Sequence, residues 1–204
     1  MPRPPERPAS AGAPAARAAA GDELVVLLDP AGRPIGSMPK AEAHLGDTPL
    51  HLAFSVYVFD PPGRFLATRR ALAKPTWPGV WSNSCCGHPR PGESPAAAAR
   101  RRLREELGLV PARLDLVLPG FSYRAVAADG VVENELCPVF FAHLEGGGEP
   151  VVTADPAEVA EWRWVSWPAF CTVAVTAPWA LSPWAAEQVR QLPAPTAPAA
   201  PGWV

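Results

Sequence analysis

Alternation of apolar and polar stretches divides the middle of the chain into short extended segments broken by turn residues. "ELVVLLD" (Glu23–Asp29) has the length and β-branched content of a strand, and "PAGRP" after it reads as a turn. "HLAFSVYVF" (His51–Phe59) predicts a longer strand. "DPPGR" then folds it back into "FLATRR" (Phe65–Arg70), a hairpin. Leu114–Leu118 and Phe121–Ala127 predict two more strands. Asp129-Gly130 is a hairpin turn into Val131–Leu144, "VVENELCPVFFAHL", read here as one long strand. Glu161–Trp167 predicts a last strand and Ser182–Gln191 a last helix. The one segment with clear helical spacing lies between: Ala96, Ala99, Leu103 and Leu107 form an apolar stripe. Ser94 is a suitable N-cap, Pro95 suits the first helical position, and Gly108 supplies the stop. Strands, a central helix, more strands and a final helix predict an α+β domain.

Composition confines this pattern. The 28 prolines of the 204 residues are unevenly placed, densest in Met1–Ala20 and Pro193–Val204, which are Pro/Ala-rich and aperiodic. Such segments bury too little to offset the entropy of ordering. The expectation is a disordered tail at 1–21, a domain at 22–192 and a second disordered tail at 193–204. Net charge is −2, which creates no global field for nucleic acid or anionic lipid. An anionic ligand must therefore find a local basic cluster. Residues 1–20 lack the apolar core of a signal peptide, and no stretch reaches the roughly 18 apolar residues of a membrane span. Two of the four cysteines, Cys85 and Cys86, are neighbours, too sparse a set for a disulfide scaffold. These features predict reduced thiols in a cytoplasmic protein, with neither a nucleic-acid nor a membrane partner.

Candidate chemistry is sparse. Glu105 and Glu106 occupy the last helical turn, where the helix dipole disfavours negative charge. Pairing with Arg101 and Arg102 at i−4 on a solvated face is the bland explanation. Glu133 and Glu135, two apart on a strand, share one face, and like charges there cost energy unless a cation or protons intervene. A solvent-facing sheet edge would explain them equally well. His44, His51 and His88 are each more often surface or core histidines than ligands. Three histidines with two carboxylates make a donor set for Mn²⁺, Mg²⁺ or Zn²⁺, but sequence spacing does not bring them together.

Two resemblances go further, and the second of them brings these five together. Gly87, Glu93, Glu105, Glu106, Gly108 and Leu109 resemble the Nudix signature, a loop–helix–loop that holds a divalent cation for diphosphate substrates. Arg101-Arg102 stands where that signature has Arg-Glu, so one helix-face carboxylate is replaced by a cation. More specifically, "HLAFSVYVF", "TRRALAK", "WPGVWSNSCCGHP", "FSYRA", "VENELCPVF" and "APWALSPW" resemble type 1 isopentenyl-diphosphate isomerase, in order, over 23–192. That resemblance implies a Nudix-like mixed β-sheet sandwich with helices on its faces. It implies an isomerase acting on a small diphosphate, isopentenyl to dimethylallyl diphosphate, as a monomer. His44, His51, His88, Glu133 and Glu135 would hold one divalent cation, Mn²⁺, Mg²⁺ or Zn²⁺. Cys86 and Glu135 would be acid/base groups, with Tyr123 assisting Glu135. Glu106 would hold Mg²⁺ with the diphosphate, and Lys40, Arg70, Lys74 and Arg102 would surround it. Trp184 would wall the pocket. The resemblance gives Cys85, Glu105 and His143 no role. The competing expectations are a Nudix hydrolase of a nucleoside diphosphate derivative and a non-enzymatic metal module. The latter lacks any Cys-x2-Cys pair.

Overall fold

The long apolar run His51–Phe59 is two strands in two different sheets. In the computed structural model, which describes residues 23–44 and 46–195, the elements in chain order begin with β1 (Leu24–Leu28), β2 (Pro34–Pro39), the short α1 (Lys40–Ala43), β3 (His51–Leu52) and β4 (Phe54–Phe59). They continue with β5 (Phe65–Arg70), β6 (Trp81–Ser82), β7 (Cys85–Gly87), α2 (Pro95–Leu107) and β8 (Arg113–Leu118). The rest are β9 (Ser122–Val126), β10 (Val132–Leu136), β11 (Val139–His143), β12 (Val159–Val165), α3 (Trp167–Thr176) and α4 (Pro183–Val189). The expected tails lie outside the described residues, apart from 193–195, which form no regular element.

One sheet has the order β2-β1-β3-β10-β9; the other runs β12-β5-β4-β11-β8, with β6 beside β5 and β7 beside β4. The predicted strand 131–144 divides as 51–59 does. β10 lies parallel to β3 in the first sheet, and β11 parallel to β4 in the second. Both runs change sheets at one level, Ala53 on one and Cys137-Pro138 on the other. Pro138 has no N–H for a ladder, so the break falls there. Ala53 N donates to Leu136 O (2.9 Å) and Ser55 N to Pro138 O (3.1 Å), which keeps the two runs together through the crossing.

At the centre of the second sheet β4 and β11 are buried on both faces, so β4 reads as a mostly apolar run rather than alternating. Phe54, Val56 and Val58 pack under α2 with Leu103 and Leu107. Tyr57 and Phe59 face the opposite way, into an aromatic cluster with Phe65, Phe141, Trp167 and Phe170 covered by α3 and α4. Burying Leu103 and Leu107 stabilises α2 by about 1.5–3 kcal/mol each. The predicted caps hold: Ser94 Oγ accepts from Ala97 N (3.2 Å), and Gly108 is left-handed, φ 68°. A Cβ at Gly108 would also meet Thr153 at 3.0 Å. β2, the short strands β6 and β7, and α3 carry too weak a period to be read from sequence. Among the described residues no helix is long and apolar enough to cross a membrane.

Candidate active site

Where the two parallel runs leave the first sheet, three side chains line up across adjacent strands. Glu135 on β10 pairs in register with His51 on β3 and with Tyr123 on β9. Tyr123 Oη donates to Glu135 Oε2 at 2.9 Å, and His88 Nε2, from the loop after β7, lies 3.1 Å from Glu135 Oε1. His44, after α1, closes the group: the three imidazole centroids are 5.0–5.3 Å apart. One ligand atom from each of His44, His51, His88 and Glu135 falls within 4.8 Å of all the others. Glu133 joins at the edge, its Oε2 3.0 Å from His44 Nε2 and its Oε1 accepting from Thr76 Oγ1 at 2.9 Å. The fourth histidine, His143, is elsewhere, stacked on Phe59 and 3.4 Å from Asp115.

These residues fit a divalent cation. His44 Nδ1 lies 3.0 Å from the Lys40 carbonyl and His51 Nδ1 2.9 Å from that of Pro49. A carbonyl only accepts, so each Nδ1 carries the proton and each Nε2 turns a lone pair into the cluster, the usual support of a metal-ligating histidine. His51 Nε2 is buried without a hydrogen bond, and lies 3.6 Å from Glu135 Oε1. Burial pushes the His88 imidazole down to about 3, against the pull of Glu135, so it is neutral and able to ligate. Burial opposes ionisation of Glu135 too, but His51 and His88 outweigh it and hold that carboxyl well below the usual range. At His44 burial also works against charge, and Glu133 beside it wins, raising the imidazole.

Cys86 faces this group from β7. It is half-buried, and burial pushes its thiol up to about 11, so it carries its proton at neutral pH. Its Sγ lies 3.4 Å from Ser55 Oγ and 3.1 Å from Asn83 Oδ1. Trp184 on α4 is buried 5.8 Å from the Tyr123 ring, with Arg70 5.1 Å over its face and Trp77 edge-on at 5.4 Å. Trp77 has φ 44°, a left-handed conformation costly for a bulky residue. Gly87 is needed for close approach: a Cβ there would lie 3.2 Å from the Phe54 ring and 3.4 Å from Arg102 Cγ. All four cysteines are free thiols, as expected.

Of the four basic side chains expected together, Lys40, Lys74 and Arg102 are linked through shared acid groups, and Arg70 is not among them. Arg102 Nη2 contacts Glu106 Oε1 (2.5 Å) and Glu158 Oε1 (3.2 Å), Lys74 pairs with Glu158, and Lys40 with Glu23 (2.7 Å). Arg102 and Glu106 are both buried, so the i−4 pairing is not a solvated face; Arg101–Glu105 (3.2 Å) is the more exposed pair. Burial works against the Arg102 charge, yet Glu106 and Glu158 raise its pKa further. Arg70 points to the other side, donating to Thr76 and covering Trp184. Sequence reasoning missed Glu158, Glu23, Thr76 and Asn83. Asn83 lies within the quoted run Trp77–Pro89, but nothing in that run marks its role. Glu158, Glu23 and Thr76 are marked only by contact with residues distant in sequence.

Residues 49–192 match the NUDIX domain model. The chain is 59% identical over 168 residues to an isopentenyl-diphosphate Delta-isomerase of Frankia alni, covering 82% of this chain and 84% of that one. It is 58% identical over 172 residues to a protein of the same name from Mycolicibacterium vanbaalenii, covering 84% and 92%. The chain belongs to the isopentenyl-diphosphate Delta-isomerase family of NUDIX proteins. Among solved structures, DR0079 from Deinococcus radiodurans is similar with TM-score 0.62 at 18% identity, covering 83% of this isomerase-family chain and 99% of that one. A MutT protein from Methanosarcina mazei follows with TM-score 0.52 at 20% identity, covering 70% and 92%. At that identity the likeness shows the fold alone, a NUDIX α+β sandwich. In this isomerase family member the helix-face carboxylate of the Nudix signature is replaced by Arg102, buried among carboxylates.

Proposed function

We infer that this chain interconverts isopentenyl and dimethylallyl diphosphate, with Cys86 and Glu135 as the two proton carriers. Moving the double bond requires a proton added at the terminal alkene carbon and another removed from the carbon beside the diphosphate-bearing end. The intermediate is a tertiary carbocation. An unactivated alkene is a very weak base, so placement of the acid and exclusion of water decide the rate. The observation that carries this reading is geometric: a thiol and a carboxylate are fixed in one buried site, Cys86 by Ser55 and Asn83 and Glu135 by Tyr123 and His88. Burial keeps the thiol protonated, while His51 and His88 favour the ionised carboxylate. One group is ready to give a proton and the other to take one. Tyr123, its phenol kept neutral by burial and by Glu135, donates to Glu135 and fixes its orientation. The Trp184 face offers π-density to the cation.

A divalent cation held by His44, His51, His88, Glu133 and Glu135 would supply positive charge that fixes Glu135 and tunes its basicity. Lys40, Lys74 and Arg102 are the diphosphate contacts, and Arg70 reaches the pocket beside Trp184. Glu106 and Glu158 share Arg102, so Mg²⁺ arriving with the diphosphate has carboxylates at hand.

Incubating the protein with isopentenyl diphosphate and Mg²⁺ in D₂O tests the reading. Deuterated dimethylallyl diphosphate is expected. Release of phosphate or nucleotide from a nucleoside diphosphate derivative, with no deuterium incorporation, would make it a hydrolase instead.

A further inference from the structure

Asn83 lies in the turn before β7, 1% exposed, and every polar atom of its side chain is used. Its Nδ2 donates to Val56 O on β4 (3.1 Å) and Cys85 O on β7 (2.8 Å). Both partners are carbonyls, which fixes the amide orientation. Its Oδ1 then faces three donors: Trp184 Nε1 at 3.0 Å, Ser82 Oγ at 2.9 Å and Cys86 Sγ at 3.1 Å. The indole N–H can only donate, so this assignment is independently supported. A single oxygen atom therefore holds both the thiol and the indole. The same corner anchors the start of α4 again, since Ser82 Oγ lies 2.8 Å from Ser182 Oγ and Ser182 N donates to Trp81 O at 2.8 Å.

We infer that Asn83 is a positioning residue, setting the spacing between the Cys86 thiol and the Trp184 indole; this rests on the roles given to those two side chains above. Tying β4 to β7 needs only the two Nδ2 bonds. The Oδ1 contacts reach instead to a side chain 101 positions away on a separate helix. A proton donor and a cation-stabilising face must be held in register with the same few carbon atoms, and misplacement by about 1 Å costs on the order of a hundredfold in rate. Rigid main-chain bonds on the nitrogen side make the oxygen a fixed reference for both.

The test is a double-mutant cycle of Asn83→Ala and Trp184→Phe, read by steady-state kinetics with melting curves and metal content alongside. Asn83→Ala should lower kcat roughly 30- to 100-fold while KM for isopentenyl diphosphate and bound metal stay within about threefold. Trp184→Phe keeps the aromatic face but removes the N–H, and should lower kcat about five- to tenfold. In that background Asn83→Ala should cost several-fold less than in the wild type, because the shared contact is already gone. Additive losses, or a loss confined to KM or to melting temperature, would overturn the inference. Should Asn83→Ala fail to fold, an unchanged kcat in Trp184→Phe overturns it just as well. Cys86→Ala separates the levels: if that variant stays active, the site reading fails. If it is inactive while folded Asn83→Ala keeps its kcat, only the Asn83 inference fails.

Discussion

Cys85 and Cys86 are adjacent on β7 and point to opposite sides of the sheet. Cys85 is buried against Phe54, Leu103 and the rest of the core under α2; Cys86 packs toward Tyr123 and Trp184. The strand's period of two turns a doubled cysteine into one packing residue and one chemical residue.

Cys86→Ala should therefore lower isomerisation by about 10²–10⁴-fold, the usual worth of a positioned acid/base group. Cys85→Ala should keep kcat within about threefold and cost only packing stability. Equal losses of activity in two folded variants, measured by product formation from isopentenyl diphosphate, would contradict the division of labour between the two faces.

The His/Glu group predicts a metal phenotype. His44→Ala, His51→Ala and His88→Ala should each reduce both bound divalent metal, measured by elemental analysis, and turnover. His143→Ala, on the far part of β11 beside Asp115, should retain its metal. Full occupancy in all three ligand variants would exclude the cluster as the site.

Arg102→Glu would restore the Nudix carboxylate, yet the structure gives it a high cost. Arg102 is the shared partner of Glu106 and Glu158, with Glu105 and Glu23 at 3.6 and 3.9 Å. Removing one partner of a buried ion pair typically costs about 3–5 kcal/mol, and a further carboxylate adds repulsion. The expected outcome is a lower unfolding midpoint in urea and, in the folded fraction, a KM for the diphosphate raised roughly 30-fold or more. Unchanged stability and kinetics would mean that the cluster does not depend on this guanidinium.

The Glu23–Lys40 pair predicts an acid-side effect on stability. Burial opposes the Glu23 charge, but Lys40 overrides it and holds the carboxyl down at about 2, against 4.5 for a free side chain. The folded state therefore binds the proton less tightly than the unfolded state. Stability from this group is complete above pH 4.5 and is lost as pH falls toward 2. Melting curves from pH 5 to pH 2 should fall less steeply in Glu23→Gln than in the wild type. Parallel curves would show that the pair contributes nothing.

Much of the molecule was legible in the sequence because its signals are local. The apolar stripe of α2, the Ser94 cap, the Gly108 stop and the strand at Leu24–Leu28 depend on neighbours within a turn or two. The paired carboxylates Glu133 and Glu135 share a face by strand geometry alone. The family resemblance carried the further step of naming His44, His51, His88 and Cys86 together. Local pattern failed where apolar content stays high while the partner changes. His51–Phe59 and Val131–Leu144 each read as one strand, since a residue buried in either sheet looks the same from its side chain. Only packing of the two runs against each other shows the crossing at Ala53 and Pro138. That crossing brings His51 and Glu135 into register where the sheets part. Tertiary structure alone also decided that Arg102 is buried among carboxylates, that Glu158 joins it, and that Asn83 meets Trp184 across 101 positions. Hydrogen bonds and ion pairs between residues so far apart leave no period in the chain. They exist only once burial has removed water as the competing partner.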